Sequence, residues 1–565
     1  MSRFERFLSE YPDYASTVAL DELRRSEYGR LDAQQHAYLD YTGGGLHAAS
    51  QVREHAEMLD AHVFGNPHSA SPSSTETTRR VERARAAVLA HFNAEREYTA
   101  VFTLNASGAL KLVAESFPFE HGSRLLMTAD NHNSVNGMRE FARAKGARVD
   151  YAPLTRPDLR IDAAAMATQL AQAEPGRNHL LAFPAQSNFS GVKHPQALIG
   201  QAQVAGWHVL LDAAAFVPTN RLDLRSVRPD FVAISFYKMF GYPTGVGCLL
   251  VRNTALPKLR RPWFAGGTVN FATVQGAMHV LSQGEAGFED GTLNYLGIPA
   301  VEIGLRHLEQ VGVDLIQTRV RCLTGWLLSE LLALRHGNGR PMVRLYGPAT
   351  TVQRGGTVTM NFYDPDGRLL DYRRLEELAG EQRISLRTGC FCNPGAGEAA
   401  EGLSEDDMRA GLAEGDEISL SRFVKLMQSR SGKSAGALRV SFGLASNFAD
   451  GERFIAFAAG LRDQTSLSRL ARSASTSRIA ASSATAVESS QWSGAASAAL
   501  PLSRRRRRSR SAHRWRCPCG RPWAPAGCGG GRVNGASPPA GIRRSDSSSR
   551  RSRRRCGCRS GCIVR

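Results

Sequence analysis

Short apolar runs alternate with helical patterns from residue 38 to about residue 252, and this alternation constrains the fold more strongly than any other feature of the sequence. The runs are rich in Val, Leu and Phe, as is typical of strands buried on both faces of a sheet. The pattern predicts an α/β layered domain with a mostly parallel, seven-stranded sheet. We expect its strands at 98–103, 124–128, 148–152, 179–183, 207–212, 231–235 and 247–251. A helix is predicted at 75–92, with Ser73 and Ser74 as candidates for its N-cap.

The pattern changes after about Gly291 and predicts a smaller α+β domain. Its expected helices are 298–311, 316–334 and 448–461, and its expected strands are 342–346, 356–362 and 437–442. A helix near residues 4–8 is expected to complete this domain. We therefore divide the chain into an N-terminal segment (1–36), a large domain (37–290), a small domain (291–464) and a tail (465–565).

The tail carries the net charge of the chain. It contains 22 Arg, no Lys and two acidic residues, a net charge of +20 against +19 for the whole sequence, so the remainder is close to neutral. The basic balance therefore says nothing about partners of the folded part. Because the tail is rich in Ser, Arg, Ala, Gly and Pro and shows no regular period, we expect it to be disordered.

Two interpretations of the tail stay open. An Arg-rich segment can bind nucleic acid. The absence of Lys instead favours a shifted reading frame in a GC-rich gene, because Arg, Ala, Gly and Pro have GC-rich codons. The spacing of Cys517, Cys519 and Cys528 lacks the paired Cys-x-x-Cys pattern of a zinc site, and no metal site is predicted.

The rest of the chain has few cysteines: Cys248, Cys322, Cys390 and Cys392. It shows no charged and apolar leader and no apolar run of about 18 residues. These features favour a soluble, cytoplasmic protein without a membrane segment. Free thiols in such a protein are more often buried, reactive or metal-binding than joined in disulfides.

Two predicted strand ends carry residues that indicate a cofactor. Asp212 ends the run 207–212, and Lys238 follows the next run with Ser235 three residues before it. Pyridoxal phosphate (PLP) requires such a set: the lysine forms the Schiff base, the aspartate holds the pyridinium nitrogen protonated and the serine contacts the phosphate. A surface lysine after a buried strand is the alternative interpretation.

Three further turns after predicted strands favour the cofactor. Ala106 and Ser107 lie in a small-residue turn that opens a helix, where backbone N–H groups can bind a phosphate. His132 follows the run 124–128 and is expected to stack on the pyridine ring. Asn188 follows the run 179–183, and we expect it to hydrogen-bond the phenolic oxygen of the cofactor.

Several longer strings resemble a known family. Tyr38-Leu39-Asp40, the segment 65–69 (GNPHS), the Asp212/Lys238 pair and the segment 437–443 resemble class V aminotransferase-fold enzymes, specifically the cysteine desulfurases. The chain is most similar to the N-terminal desulfurase-like domain of molybdenum cofactor sulfurases, through FPAQSNFSG (183–191), SFYK (235–238) and RTGCFCN (387–393). The resemblance covers roughly residues 37–461.

The resemblance implies a PLP-dependent enzyme of fold type I with assigned site residues. Lys238 is implied as the Schiff-base lysine and as the proton shuttle at the substrate's α-carbon. The implied cofactor contacts are Asp212, His132, Asn188, Ala106, Ser107 and Ser235. Thr268 belongs to a segment that reaches the partner subunit's phosphate in the family, which implies a homodimer. Arg439 and Arg387 are the predicted substrate-binding residues: Arg439 is implied to bind the substrate carboxylate, a role that suits a bidentate guanidinium, and Arg387 lies beside the cysteine pair.

Cys390 and Cys392 carry the distinctive chemistry of the desulfurases. PLP makes the sulfur of a cysteine substrate electrophilic, and a second thiolate on the enzyme takes it as a persulfide. Such a thiol must be accessible and partly ionised, and we expect Arg387 to favour its thiolate. The alignment implies Cys392 as the nucleophile and Cys390 as its neighbour. A pair of loop thiols without a role is the alternative.

Two departures narrow the expected function. Tyr237 and Ala215 stand where general desulfurases often have His and Gln, as in the molybdenum cofactor subgroup, which argues against iron–sulfur assembly. The Arg/Ser tail stands where full-length cofactor sulfurases continue into a further domain. We expect a cysteine desulfurase-like enzyme that converts L-cysteine to L-alanine, with the molybdenum cofactor of a molybdoenzyme as a candidate acceptor. The alternatives are another class V reaction (transamination, epimerisation or selenocysteine cleavage) and an inactive scaffold or nucleic-acid binder.

Overall fold

The computed structural model describes residues 1–67, 69–413, 422, 426, 427, 434 and 436–465. The predicted tail, apart from Thr465, lies outside the described residues. The strands are β1 (Ala37–Tyr38), β2 (Tyr98–Thr103), β3 (Arg124–Thr128), β4 (Arg148–Ala152), β5 (Leu154–Thr155), β6 (Arg160–Ile161), β7 (His179–Pro184), β8 (Trp207–Asp212), β9 (Phe231–Ser235), β10 (Gly247–Arg252), β11 (Val269–Ala272), β12 (His279–Leu281), β13 (Val343–Tyr346), β14 (Thr357–Phe362), β15 (Ile384–Ser385), β16 (Arg387–Gly389) and β17 (Ala437–Ser441).

The helices connect and cover these strands. They are α1 (Arg3–Glu10), α2 (Ala19–Glu27), α3 (Arg30–Ala33), α4 (Ala49–Ala61), α5 (Pro72–His91), α6 (Ala106–Ser116), α7 (Asn133–Asn136), α8 (Met138–Ala144), α9 (Ala163–Leu170), α10 (Ala197–Val204), α11 (Phe236–Phe240), α12 (Pro299–Val311), α13 (Val313–Ala333), α14 (Tyr372–Glu381), α15 (Pro394–Glu401), α16 (Glu405–Leu412) and α17 (Phe448–Ala459). Short 3-10 helices lie at Pro12–Thr17, Leu256–Lys258 and Gly284–Gly287.

A seven-stranded sheet in the order β2-β10-β9-β8-β7-β3-β4 forms the centre of the first half of the chain. Five of its predicted ranges coincide with the observed strands, and the other two end one residue before the observed strands β7 and β10 do. The pairs β3/β4, β3/β7, β7/β8 and β8/β9 are parallel, whereas β10 is antiparallel to both neighbours. The link from β9 to β10 is too short for the crossover that a parallel neighbour needs. The predicted mostly parallel sheet is therefore confirmed.

Helix α5 begins earlier than predicted. Its N-cap is Ser71 and not the predicted Ser73 or Ser74. The Oγ of Ser71 accepts a hydrogen bond from the Ser74 N–H at 3.4 Å. Pro72 stands at the first helical position, where the missing N–H leaves no hydrogen bond unmade. Val81, Ala84 and Val88 lie on the buried face of α5.

A four-stranded antiparallel sheet in the order β13-β14-β17-β16 organises the second half. The N-terminal helix α1 packs against α13 and α17, since the ring of Phe7 lies 6.0 Å from that of Trp326 and 4.8 Å from that of Phe448. One contiguous buried cluster includes residues of both sheets. The domain boundaries that we drew from the sequence stay a prediction.

No helix within the described ranges combines the length and the apolar character that crossing a bilayer requires.

Candidate active site

A cavity of about 410 Å³ lies at the carboxyl ends of β7, β8 and β9. Ligand sites of open α/β sheets form at this edge, because the loops that follow neighbouring parallel strands meet there. Seven residues predicted from the sequence line the cavity: Ala106, Ser107, His132, Asn188, Asp212, Ser235 and Lys238. Sequence reasoning did not assign a role to five further polar lining residues, Asn105, Ser134, Gln186, Tyr237 and Thr244.

Lys238 lies on the short helix α11, directly after β9. Burial lowers the pKa of its amine, and the neighbouring Asp212 carboxylate opposes that shift. A lowered pKa keeps more of the amine neutral, as a nucleophilic lysine requires. The turn that follows needs glycine, because Gly241 has a φ of +77° and an added Cβ would lie 2.2 Å from the His47 nitrogen.

Asp212 and His132 stand near Lys238 at the ends of their strands. Asp212 is buried at the end of β8, and its Oδ1 accepts a hydrogen bond from the Ala214 N–H (3.0 Å). His132 caps α7, and its Nδ1 accepts the Ser134 N–H at 3.1 Å, so the neutral ring carries its proton on Nε2. Burial lowers the pKa of His132, against the opposing effect of Asp212. A neutral imidazole suits the predicted stacking role.

The N-terminus of α6 forms another part of the cavity wall. Asn105 is its N-cap, and its Oδ1 accepts the Gly108 N–H at 2.9 Å. The N–H groups of Ala106 and Ser107 occupy the first helical turn, where intrahelical partners do not exist. The hydroxyls of Ser107 and Ser134 are hydrogen-bonded to each other at 2.6 Å. Backbone donors, hydroxyls and the positive end of a helix together suit a phosphate group.

The residues around the cavity therefore fit PLP. The chemistry of the donor set is complementary to the cofactor at each end: an amine and a carboxylate on one side, and N–H and hydroxyl donors on the other. All the residues that give this fit belong to one chain and line the cavity. Thr268 is not part of that wall. Within a turn, its hydroxyl accepts the Ala265 N–H and donates to the Ala265 carbonyl oxygen, each at 2.8 Å.

Asp40 joins the two predicted substrate arginines, and sequence reasoning missed this role. Its Oδ1 accepts from the Arg439 guanidinium at 3.0 Å, and its Oδ2 accepts from Arg387 at 2.9 and 2.7 Å. A second nitrogen of Arg439 donates to the Asn188 carbonyl oxygen at 2.9 Å. Burial lowers the pKa of Arg439, and Asp40 opposes this shift. Arg387, which we expected to act on the thiols, thus has its charge balanced by Asp40.

The two cysteines of the RTGCFCN segment have different neighbours. Cys392 is exposed and lies within electrostatic range of Arg439, whereas Cys390 is partly buried and lies within range of Tyr372. The carbonyl oxygen of Cys392 accepts the Asn133 N–H at 2.7 Å, next to His132. Neither thiol lines the cavity itself. Cys392 lies beside it, because the Asn133 N–H that it accepts follows His132 of the cavity wall, and we call this position the cavity rim.

The other two cysteines of the described part, Cys248 and Cys322, are buried. Burial raises the pKa of both thiols, which disfavours the thiolate and a reactive role. Within the described ranges no group of three or more His, Cys, Asp or Glu residues is arranged to hold a metal ion.

The mixed sheet and the lysine–aspartate pair at its carboxyl edge define a protein of the PLP-dependent transferase fold, type I. The chain belongs to the aminotransferase class-V family, whose sequence profile matches residues 37–454. The family predicted from the sequence is therefore confirmed.

Named relatives show which enzymes of this family the chain is similar to. Molybdenum cofactor sulfurase of Solanum lycopersicum is 36% identical over 491 residues, which span 81% of this chain and 59% of that protein. The Homo sapiens protein of the same name is 36% identical over 465 residues, 78% of this chain and 51% of its own length. The chain thus spans little more than half the length of these relatives.

Solved structures confirm the fold. A cysteine desulfurase from Thermococcus onnurineus NA1 superposes with a TM-score of 0.64 at 22% identity, covering 78% of this chain and 97% of its own. The cysteine desulfurase CsdA from Escherichia coli gives a TM-score of 0.60 at 21% identity, covering 78% and 99%.

Proposed function

We propose that this chain is a PLP-dependent cysteine desulfurase-like sulfurtransferase. The observation that carries the proposal is the position of Cys392 beside the Lys238 cavity, where its carbonyl oxygen accepts the Asn133 N–H next to His132 and its thiol lies within electrostatic range of Arg439. The reaction balances as L-cysteine plus the Cys392 thiol giving L-alanine plus a Cys392 persulfide. The carbon–sulfur bond of the substrate breaks, a sulfur–sulfur bond forms on the enzyme and the alanine β-carbon gains a proton.

PLP would be held by Lys238, Asp212, His132, Asn188 and the N-terminus of α6. When bound, it supplies an electron sink that labilises bonds at the substrate's α- and β-carbons. Lys238 Nζ would move the proton at the α-carbon, a role favoured by its lowered pKa. Asp212 would hold the proton of the pyridinium nitrogen through its carboxylate, whose Oδ1 is oriented by the Ala214 N–H.

Arg439 and Arg387 would orient the substrate through its carboxylate. Asp40 holds both guanidinium groups and neutralises one of their two charges. The remaining positive charge matches one carboxylate. This charge balance favours an amino acid with a single negative group over a dicarboxylate.

Cys392 is the better candidate nucleophile of the pair. Its exposure and its proximity to Arg439 suit a thiol that meets the substrate sulfur and then presents a persulfide to an acceptor. Cys390 lies towards Tyr372, on the side of α14. The molybdenum cofactor is the proposed acceptor, because the relatives are named for its sulfuration. The cytoplasmic location stays a prediction.

We also propose that the protein acts as a homodimer. Exposed apolar side chains are concentrated on the β11–β12 hairpin and the preceding loop: Trp263, Phe264, Phe271, Val274, Met278 and Val280. A patch of this kind usually marks an interface. Thr268 lies at the base of this hairpin, so a second copy seated here would bring that turn towards a neighbouring phosphate site. Light scattering of Phe271→Asp should show monomers. Val352→Asp, exposed elsewhere, is the control, and an unchanged dimer in Phe271→Asp would contradict the proposed surface.

The desulfurase proposal is tested with L-cysteine and a reductant, counting alanine and mapping the labelled persulfide by mass spectrometry. Lys238→Ala should lose the visible absorption of lysine-bound PLP. Cys392→Ala should retain that absorption and release no alanine. Normal turnover by Cys392→Ala together with inactive Cys390→Ala would show that the nucleophile is Cys390. Turnover of other amino acids without a persulfide would favour another class V reaction.

A further inference from the structure

Asn393 connects the cysteine loop, defined here as residues 390–393, to the cavity wall. It is fully buried, although it follows an exposed cysteine. Its Nδ2 donates to the Asp130 carbonyl oxygen at 2.7 Å and to the Asn188 Oδ1 at 2.8 Å. A side-chain amide has two N–H donors, so both are used.

The Asn188 amide is oriented by the cysteine loop. Its Oδ1 accepts from Asn393, and its Nδ2 donates to the Phe391 carbonyl oxygen at 2.7 Å. One N–H of Asn188 is left for another acceptor. Because the Asn188 Oδ1 accepts a hydrogen bond from Asn393, a flip of the amide would break that bond. The amide therefore presents an N–H, and not its oxygen, at the remaining position.

The backbone of the loop is restrained on the same side. The Cys392 carbonyl oxygen accepts the Asn133 N–H. In the first turn of α15, directly after the loop, an added Cβ on Gly395 would lie 2.0 Å from the Ala129 carbonyl oxygen. Phe391 and Cys392 adopt φ values of 55° and 53°, a left-handed conformation that non-glycine residues rarely adopt. A conformation of this kind persists only where surrounding contacts hold it.

We propose that Asn393 is a positioning residue that holds the Cys392 thiol at the cavity rim and orients the Asn188 amide towards the phenolic oxygen of PLP. The inference rests on the proposed function, since it assigns Asn393 a role in persulfide formation on Cys392. Asn393 touches neither the reacting sulfur nor, in this proposal, the cofactor. It acts through Asn188 and through the backbone of the cysteine loop.

A role as a helix cap does not account for these contacts. Asn393 caps α15 through its Oδ1 alone, which accepts the Ala396 N–H at 3.2 Å. Ser and Asp cap helices as well as Asn does. Substitution by either residue therefore keeps the cap and removes the two amide donors, which separates the two roles.

The test compares Asn393→Ser and Asn393→Asp with Ser404→Ala, which removes the N-cap of the neighbouring α16. Hydrogen exchange of the Asn133 amide reports docking of the loop directly, because that N–H is bonded to Cys392. We expect exchange about tenfold faster in both Asn393 variants, the effect of losing a hydrogen bond of ordinary strength, and wild-type exchange in Ser404→Ala. We also expect kcat for persulfide formation to fall about tenfold with little change in the KM for L-cysteine.

Wild-type exchange at Asn133 together with a wild-type kcat in both Asn393 variants would overturn the proposal and leave Asn393 as a cap. If Asn393→Asp does not fold because of its added charge, Asn393→Ser decides the question. Failure of the wild-type protein to form alanine from L-cysteine would refute the proposed function instead. The exchange measurement distinguishes the two failures, since it requires no turnover.

Discussion

Asp40→Asn is the substitution whose consequences the structure defines most closely. Asp40 is the carboxylate shared by Arg439 and Arg387, and its side chain is 9% exposed. Arg439 is 3% exposed, so its charge has little access to water, whereas Arg387 is 52% exposed. The stability effect of the substitution should therefore come mainly from Arg439.

The magnitude follows from these exposures. Removing one partner of a buried ion pair costs about 3–5 kcal/mol, and an ion pair with an exposed partner contributes about 1 kcal/mol or less. Asparagine keeps one acceptor oxygen of nearly the same shape, so we expect a loss of about 2–3 kcal/mol in the free energy of unfolding. The unpaired guanidinium groups should then bind a free carboxylate more tightly than in the wild type.

Urea unfolding with acetate or chloride at equal ionic strength provides the assay. A ligand that binds only the folded state at ten times its Kd restores about 1.4 kcal/mol, so acetate should recover part of the lost stability of Asp40→Asn. Asp21→Asn is the matched control, since Asp21 pairs with the buried Arg319 away from the cavity. Wild-type stability of Asp40→Asn, or equal rescue of Asp21→Asn by acetate, would refute the reasoning.

Three further changes test other parts of the structure. Burial lowers the pKa of His91 from 6.5 to about 4, so the unfolded chain binds a proton that the folded chain does not, and the free energy of unfolding should fall as pH drops from about 6.5 to about 4. Urea unfolding of His91→Gln should show a shallower fall over this pH range. A fall as steep as that of the wild type would contradict this reasoning. Gly395→Ala places a methyl group 2.0 Å from the Ala129 carbonyl oxygen, so persulfide formation should drop while the absorption of bound PLP persists, and unchanged labelling of Cys392 would count against a closely docked loop. Arg439→Lys should raise the KM for L-cysteine about tenfold, because lysine lacks the bidentate donor pair, and an unchanged KM would remove Arg439 from substrate binding.

Local features made the central sheet predictable from sequence. Its inner strands are almost wholly buried, so each appears as a mostly apolar run. The edge strand β4 is the exception, because its sequence is RVDYA and only Ala152 is fully buried. Asp212 and Lys238 were identifiable for the same reason, because each lies at or just beyond the end of such a run. The start of α5 at Pro72 was missed because three serines near this terminus are each competent N-caps.

The roles of Asp40 and Asn393 could not be predicted from the sequence, because both depend on residues far away in the chain. Asp40 stands 347 residues from Arg387 and 399 residues from Arg439 in the chain. Nothing in the local pattern around Tyr38-Leu39-Asp40 indicates that its carboxylate meets two guanidinium groups. Asn393 is similar: its segment was noted for the cysteines, whereas its amide partners Asp130 and Asn188 lie on loops after two other strands.

The charge distribution of the cavity gives the predicted dimer a physical reason. Among the described residues that line it, Lys238 carries the only cationic side chain, since burial keeps His132 neutral. Neither Arg439 nor Arg387 lines the cavity, and both are paired with Asp40. In the proposed function Lys238 is bonded to PLP, so the donors that this cavity wall leaves for a phosphate dianion are neutral: the α6 N–H groups and the hydroxyls of serines. A helix N-terminus offsets about half an elementary charge, which leaves most of the dianion to be balanced by other donors. A second copy whose Thr268 turn approaches this end of the cavity would supply further N–H and hydroxyl donors where they are lacking.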